Sequence, residues 1–277
     1  MEWNALWGLV YGLLGGFFEF LPVPPQVHLK LFLQISGLEN PGYGLAFAVH
    51  FGALAAVVAS HYGQLAKYAK EQKRMQRTRR SRSPHPDQVS LTELRLLKTA
   101  AVPVVLSGLL TPWLSSYFER MWVLAILTVL GGIMVFLPQY MTRANKDARS
   151  LSPFDVTLVG LGSALGILPG VSRVGAMTSV SSMRGASGPF GLKFAYLLLI
   201  PALGALCIGD LAMLLFGGGS YAAVPFLVGM TACVASFAAG FVAIALMRAV
   251  AAKSSFEGLA YYSWGLAMLT FIIYLIR

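Results

Sequence analysis

Apolar residues run through this chain in long blocks that short polar connections separate. A helix needs about 20 apolar residues to cross a bilayer, and six blocks reach about that length. The pattern predicts an all-α integral membrane protein with about six spanning helices, forming a single membrane domain over residues 1–277. The predicted spans are about 42–62, 99–117, 121–138, 189–216, 221–248 and 256–276.

Two further apolar blocks are interrupted by proline and are too short to cross as straight helices. Residues 3–20 precede the sequence LPVPP at 21–25, and residues 26–37 follow it. Residues 154–168 precede Pro169-Gly170, and residues 172–186 follow. Proline ends a helix, and broken backbone is tolerated at membrane depth only inside protein or beside a wet cavity. We therefore predict two re-entrant helical hairpins.

The two hairpins carry similar sequence at one constant spacing. Pro22 corresponds to Pro169, and the sequence GLAFA at 44–48 corresponds to GLKFA at 191–195, each 147 positions apart (169 − 22 and 191 − 44). This predicts a duplication with repeat one at about 3–138 and repeat two at about 154–276. Three predicted crossings separate the hairpins, so the repeats should have inverted topology, an arrangement typical of membrane proteins with mid-membrane sites.

Composition supports a membrane location, and charge predicts the orientation. Hydrophobic residues make up 57% of the chain, only 12% are charged, and the formal net charge is +10. The positive charge is concentrated in the connection at about 64–98, a pattern that favours a cytoplasmic loop over nucleic-acid binding and allows contact with anionic membrane lipids. Both termini should then face outside. The basic residues of this loop are Lys67, Lys70, Lys73, Arg74, Arg77, Arg79, Arg80, Arg82, Arg95 and Lys98.

Few ionisable residues interrupt the apolar blocks, and such residues usually mark a site or a pathway. Glu19 and His28 flank the first break, and Arg173 lies at the second. Together they suit an anionic phosphate, because arginine binds its oxygens with a planar fork and the other two can transfer protons. We assign these three as catalytic candidates. Further candidates for substrate binding are Ser172, backbone donors near Gly170 and Gly175, and Gln26 at the first tip.

Each of these residues also has a structural interpretation. Glu19 and Arg173 could form a buried ion pair that only orients helices, and His28 could be a satisfied polar residue of the hairpin. We expect Lys193 and Arg184 to reach the membrane surface through their aliphatic stems. His50 could either pack or line a cavity, and Asp210 is expected to be structural. The two cysteines, Cys207 and Cys233, are expected to be packing residues.

Four segments of the chain resemble one family, the undecaprenyl-diphosphate phosphatases of bacitracin resistance. They are EFLPV at 19–23 with His28 beyond it, LPGVSRVGA at 168–176, FAYLLLIPA at 194–202 and LAYY at 259–262. The resemblance implies a polyprenyl diphosphate substrate, a pocket that opens to the outer face of the bacterial plasma membrane, and functional roles for four residues: Glu19, His28, Ser172 and Arg173.

The chain also departs from the family pattern. Gly15 stands where the family has a second glutamate, the first tip reads PPQV at 24–27 instead of Ser-Ser-Thr-Gly, and Val174 replaces a serine. Glu19 is therefore the one candidate ligand for the Mg²⁺ or Ca²⁺ that the resemblance suggests. The leading hypothesis is hydrolysis of undecaprenyl diphosphate to the monophosphate. The alternatives are binding or flipping of a polyprenyl phosphate and a purely structural role; assembly as a homodimer is left open.

Overall fold

The computed structural model describes residues 2–78, 87–140, 145–217, 224–252 and 256–276, without the side chains of residues 77 and 78. Within these ranges the chain is helical apart from connections and one isolated bridge between Lys146 and Ala186. The α-helices are α1 (Ala5–Glu19), α2 (Pro25–Ser36), α3 (Gly42–Thr78), α4 (Gln88–Leu114), α5 (Met121–Phe136), α6 (Pro153–Ala164), α7 (Arg173–Met183), α8 (Gly188–Phe216), α9 (Phe226–Ala252) and α10 (Glu257–Ile276). Short 3-10 turns follow α4, α5 and α6 at Ser115–Phe118, Leu137–Tyr140 and Leu165–Ile167.

Six stretches within the described ranges are long and apolar enough to span a bilayer. The predicted all-α integral membrane fold is confirmed, and the protein is a multi-pass membrane protein. The apolar helices at the two breaks are shorter, Ala5–Glu19 and Pro153–Ile167, and each is followed by a second short helix. The division into two repeats stays a prediction. The six spans are Gly42–Gln76, Gln88–Phe118, Met121–Tyr140, Gly188–Phe216, Phe226–Ala252 and Glu257–Ile276.

On the basic side of the protein α3 and α4 are longer than predicted. The helical conformation continues beyond the apolar block because its residues there are mostly good helix formers. Asp87 caps α4 by accepting the backbone N–H of Val89 at 3.0 Å, and its Oδ2 lies 2.9 Å from Lys67 Nζ. The hydrogen bonds from Lys67 and Ser90 hold the pKa of the Asp87 carboxyl well below its usual value.

Part of the predicted basic connection at about 64–98 lies outside the described residues. The basic residues concerned are Arg79, Arg80 and Arg82.

Glycines set the distance between the first hairpin and α9. Gly8, Gly12 and Gly16 follow one another at intervals of four on α1, and each faces the backbone or a small side chain of α9. A β-carbon at Gly12 would lie 2.7 Å from the Cα of Ala232, so the two helices approach as closely as backbones can. Small residues at this spacing are the usual means of close helix packing in membranes.

Two cations that were expected to reach the membrane surface are paired with buried carboxylates while they remain partly exposed. Lys193 Nζ lies 2.7 Å from Glu93, and Arg184 lies 2.6 Å from Asp155. Both carboxylates are almost fully buried, and an unpaired buried charge is costly. The ion pairs therefore hold α8 to α4 and α7 to α6 near the membrane surface.

Candidate active site

The two breaks meet inside the protein. The hydroxyl of Ser172, at the second break, donates to the carbonyl oxygen of Leu21, at the first, over 2.7 Å. Tyr196 of α8 donates to the neighbouring carbonyl of Phe20 over 2.9 Å. Gly175 lies against Pro22, where an added β-carbon would come within 3.1 Å of the proline Cα. The carbonyls freed by the first break are thus satisfied by the second half of the chain, as a membrane interior requires.

Arg173 begins α7 and is buried, with 6% of its surface exposed. Its Nη2 donates to the hydroxyl of Thr111 on α4 over 2.8 Å and lies 3.5 Å from the carbonyl of Gly166. Gly166 makes room for the arginine, because a β-carbon there would lie 2.8 Å from the Cβ of Arg173. The Nε of Arg173 has no hydrogen-bond partner among the described residues. A buried donor without a partner is rare in a native protein and needs an explanation.

Glu19 ends α1 and is buried close to Arg173. Its carboxylate interacts electrostatically with Arg173, with His50 and with Asp210. An acid from the first break and a guanidinium from the second thus lie within electrostatic range of each other. They lie in a polar cluster that also includes His50 and Asp210.

His50 and Asp210 form the shortest polar contact of this cluster. His50 Nδ1, on α3, lies 2.6 Å from Asp210 Oδ2, on α8. The side chain of Asp210 is 3% exposed and that of His50 is 18% exposed. The sequence analysis left His50 open between packing and lining a cavity, and it expected Asp210 to be structural. Each is a lone ionisable residue within an apolar block, a pattern that often marks functional residues in membranes.

A cavity of about 390 Å³ lies in front of this cluster. His50, Asp210 and Thr111 form part of its wall, whereas Lys30 and Glu119 line it near the helix ends. Lys30 Nζ is 3.1 Å from Glu119 Oε2, and both side chains are partly exposed. The lining also contains residues at the start of α3 and the end of α4, so the cavity opens on the side opposite the basic connection. Its wall combines polar groups with apolar ones, as ligand sites usually do.

The remaining predicted residues occupy different surroundings. The ring of His28 stacks on Phe18 with 3.5 Å between ring centroids, and its nitrogens lie 2.8 Å from the carbonyl of Pro24 and from the hydroxyl of Tyr262. Neither Glu19 nor Arg173 is among these contacts of His28, and His28 is not part of the cavity lining. Its catalytic role stays a prediction.

The candidates for substrate binding also differ in position. Gln26 lines the cavity, and its buried Oε1 has no partner among the described residues. The hydroxyl of Ser172 is engaged twice, because it also accepts the N–H of Gly175 over 3.1 Å. Gly170 packs on the backbone of α5 at Leu127. Their roles in binding stay predictions.

The residues present do not fit a divalent cation. Within the described ranges no group of three or more His, Cys, Asp or Glu side chains is arranged to hold a metal ion. Glu19 faces the positive charge of Arg173, and Asp210 is hydrogen-bonded to His50. Position 15 cannot supply the second family acid without rearrangement, because a β-carbon on Gly15 would lie 2.5 Å from Val49 Cγ1. We derive no step through a metal.

Comparison with known proteins agrees with the resemblance read from the motifs. A family model described as bacitracin resistance protein BacA matches residues 8–269. The chain belongs to this family. Among its relatives, the undecaprenyl-diphosphatase of Rubrobacter xylanophilus is 30% identical over 275 residues, covering 96% of this chain and 97% of the relative. The undecaprenyl-diphosphatase of Carboxydothermus hydrogenoformans is 27% identical over 98% of this chain and 97% of its own.

The match to the BacA family covers both breaks in the helices. The match runs from α1 to α10 and so includes Glu19, both breaks and α8. The undecaprenyl-diphosphatase of a Nocardioides species is 28% identical over 91% of this chain and 90% of its own. The departures at Gly15 and at the tip of the first hairpin therefore lie within an otherwise continuous family match.

Proposed function

We propose that this protein hydrolyses undecaprenyl diphosphate to undecaprenyl monophosphate and inorganic phosphate, recycling a lipid carrier for cell-envelope synthesis. The observation that carries the proposal is the buried Arg173, whose Nε has no hydrogen-bond partner among the described residues and whose Nη2 contacts Thr111, a residue of the cavity wall. A phosphate oxygen is the partner that a guanidinium binds best. The relatives named undecaprenyl-diphosphatase, matched over nearly their whole length, supply the substrate class.

The arrangement suits a negatively charged headgroup because one cation lines the cavity and a second lies directly behind its wall. Lys30 lines it near the surface, and Arg173 stands behind Thr111 at the inner wall. Phosphoryl transfer depends mainly on positioning and on neutralising charge. In this proposal Arg173 binds the diphosphate, the amide of Gln26 orients it, and Glu19 tunes the charge of the inner wall. Ser172, Gly170 and Gly175 hold the break in the shape that presents Arg173.

A second candidate function is binding or flipping of a polyprenyl phosphate without hydrolysis. It is favoured by the tip of the first hairpin, where Pro24 and Pro25 stand in place of family serines and offer no backbone N–H to an anion. The missing acid at Gly15 points in the same direction.

Phosphate release by the purified protein separates the two functions. We expect release from undecaprenyl diphosphate by the wild-type protein and a loss of at least about a hundredfold in Arg173→Ala, since removing one charged group that stabilises a transition state costs this much. The assay is run with Mg²⁺, with Ca²⁺ and with a chelator, which tests directly whether the hydrolysis needs a divalent cation. Wild-type protein that binds the lipid phosphate tightly, in an Arg173-dependent way, but releases no phosphate would support the carrier and exclude the enzyme.

The orientation and assembly are part of the proposal. Both termini face outside the bacterial plasma membrane, so the basic side of α3 is cytoplasmic. A single cysteine at Met75, in a variant lacking Cys207 and Cys233, should resist a membrane-impermeant thiol reagent in intact cells and react after permeabilisation. Labelling in intact cells would contradict this orientation.

A homodimer is the proposed assembly, and the mass of the detergent-solubilised protein tests it.

A further inference from the structure

The two residues of the pair His50–Asp210 differ in their exposure to the cavity. The carboxylate of Asp210 is buried behind the imidazole, and the imidazole of His50 is the more exposed partner. Both residues line the cavity, whereas His28 does not. A pair that only tied α3 to α8 would have no need of a partly exposed ring in the wall of a cavity. A base that faces a ligand, oriented by a third group behind it, is a recurring catalytic arrangement.

We infer that His50 is the general base of the hydrolysis and that Asp210 is the residue that positions it. This inference deepens the proposed function and rests on it. The nitrogen Nδ1 of His50 faces a carboxylate oxygen at 2.6 Å and so carries the proton of that hydrogen bond. The other ring nitrogen, Nε2, then has the free electron pair. The carboxylate also stabilises the imidazolium that forms when Nε2 accepts a proton.

The other two proton-carrying candidates are less suitable. Both nitrogens of His28 are already hydrogen-bonded, to Pro24 and to Tyr262, and Phe18 stacks on its ring. Glu19 faces Arg173 and is not part of the cavity lining. Since a base must come within hydrogen-bond reach of the water it activates, the residue that borders the cavity is the better candidate.

The proposed step balances without a co-reactant. Nε2 of His50 takes one proton from a water molecule as the water oxygen attacks the terminal phosphorus of the diphosphate. The new P–O bond forms while the bond from that phosphorus to the bridging oxygen breaks, and the bridging oxygen leaves with undecaprenyl monophosphate. The second proton of the water stays on inorganic phosphate. The imidazolium then returns its proton to solvent through the mouth of the cavity.

Several ionisable groups face His50 and determine how it behaves. Asp210 contacts it from α8, Glu19 interacts with it from the end of α1, and Arg173 from the start of α7. The phenols of Tyr11 and Tyr43 share the cavity. The two carboxylates favour the imidazolium and the guanidinium opposes it, so the electrostatic surroundings suit a group that gains and loses a proton in each cycle.

The test compares steady-state phosphate release in matched variants of the full-length protein in detergent. His50→Gln should lower kcat by roughly a hundredfold to ten-thousandfold, the usual contribution of a general base, with KM close to that of the wild type. Asp210→Asn should lower kcat in the same way, and Asp210→Glu should recover part of the loss. The control is His61→Gln, because His61 is a buried histidine of the same helix that is not part of the cavity lining; its kcat should stay near the wild-type value.

Chemical rescue distinguishes a base from a structural residue. His50→Ala leaves a gap beside the cavity, and imidazole added to the buffer should restore part of the turnover. Binding of undecaprenyl diphosphate and the thermal unfolding temperature of each variant show that the protein is folded and loaded. A folded His50→Gln protein with wild-type kcat, or His50→Ala with no response to imidazole, would overturn the inference while leaving the proposed function intact. A wild-type protein that releases no phosphate would overturn both.

Discussion

Ser172 donates its hydroxyl proton to the carbonyl oxygen of Leu21 over 2.7 Å, although 151 positions separate the two residues in the chain. The same hydroxyl accepts the backbone N–H of Gly175 and so caps the start of α7. One side chain therefore satisfies a carbonyl freed by the first break and an amide freed by the second. This double use explains how two interrupted helices can meet within a membrane, where water cannot supply the missing hydrogen bonds.

Replacing Ser172 by alanine should weaken the contact between the two breaks. We expect Ser172→Ala to lower the free energy of unfolding by about 1–3 kcal/mol, because the Leu21 carbonyl is left buried without a partner and α7 loses its cap. The control is Ser163→Ala, since Ser163 is fully buried and its hydroxyl has no partner among the described residues. Thermal unfolding in detergent measures both. An equal loss in the two variants would show that the link between the breaks contributes nothing.

The sequence predicted the elements well because proline and apolar block length are local signals. The breaks at Pro22 and Pro169 and the six spans could be read in this way. The surroundings of His28 could not, because they depend on Tyr262, which comes 234 positions later in the chain. The partnership of His50 with Asp210 spans 160 positions. Only the packing of α3 against α8 brings those two together.

In the predicted duplication, Gly166 is the counterpart of Glu19 and has a different role. In the predicted register of 147 it corresponds to Glu19 (166 − 147 = 19), yet one residue is a carboxylate and the other has no side chain. The space that a side chain would take at Gly166 is occupied by Arg173. The first predicted repeat thus contributes the carboxylate of Glu19, and the second contributes the guanidinium of Arg173. A comparison of sequence motifs alone could not show that the glycine exists to accommodate the arginine.

Thr111 is the polar contact of Arg173 that borders the cavity. Thr111→Val keeps the size of the side chain but leaves the Nη2 donor of Arg173 without the acceptor at 2.8 Å. We expect phosphate release to fall by at least about tenfold, because a displaced catalytic group loses rate steeply. The control is Thr128→Val: Thr128 is also buried and also donates to a carbonyl of its own helix. Comparable activity in the two valine variants would contradict a role for Thr111 in holding Arg173.

Lys30 and Glu119 impose opposite effects on an anionic substrate at the mouth of the cavity. Lys30→Gln should raise KM and Glu119→Gln should lower it, each by about two- to fivefold, as expected for partly exposed charges worth up to about 1 kcal/mol. Both differences should shrink at high salt, which screens exposed charges. Glu39→Gln, on the same side of the protein but not part of the lining, should change KM less. A rise of KM in Glu119→Gln would contradict this description of the mouth.

The glycine stripe of α1 should tolerate no side chain where it faces α9. Gly12→Val would drive its β-carbon to within 2.7 Å of the Cα of Ala232, and helix backbones cannot yield as flexible side chains can. We expect a loss of about 1–3 kcal/mol in the free energy of unfolding, the usual cost of overpacking. Activity should fall as well, since α1 carries Glu19.

Gly229→Val is the matched control: Gly229 lies on α9, and an added β-carbon meets nothing within 4 Å. Both variants place the same branched residue in a helix, so intrinsic helix propensity cancels. Unfolding at the same temperature in the two variants would show that α1 and α9 do not depend on this close approach.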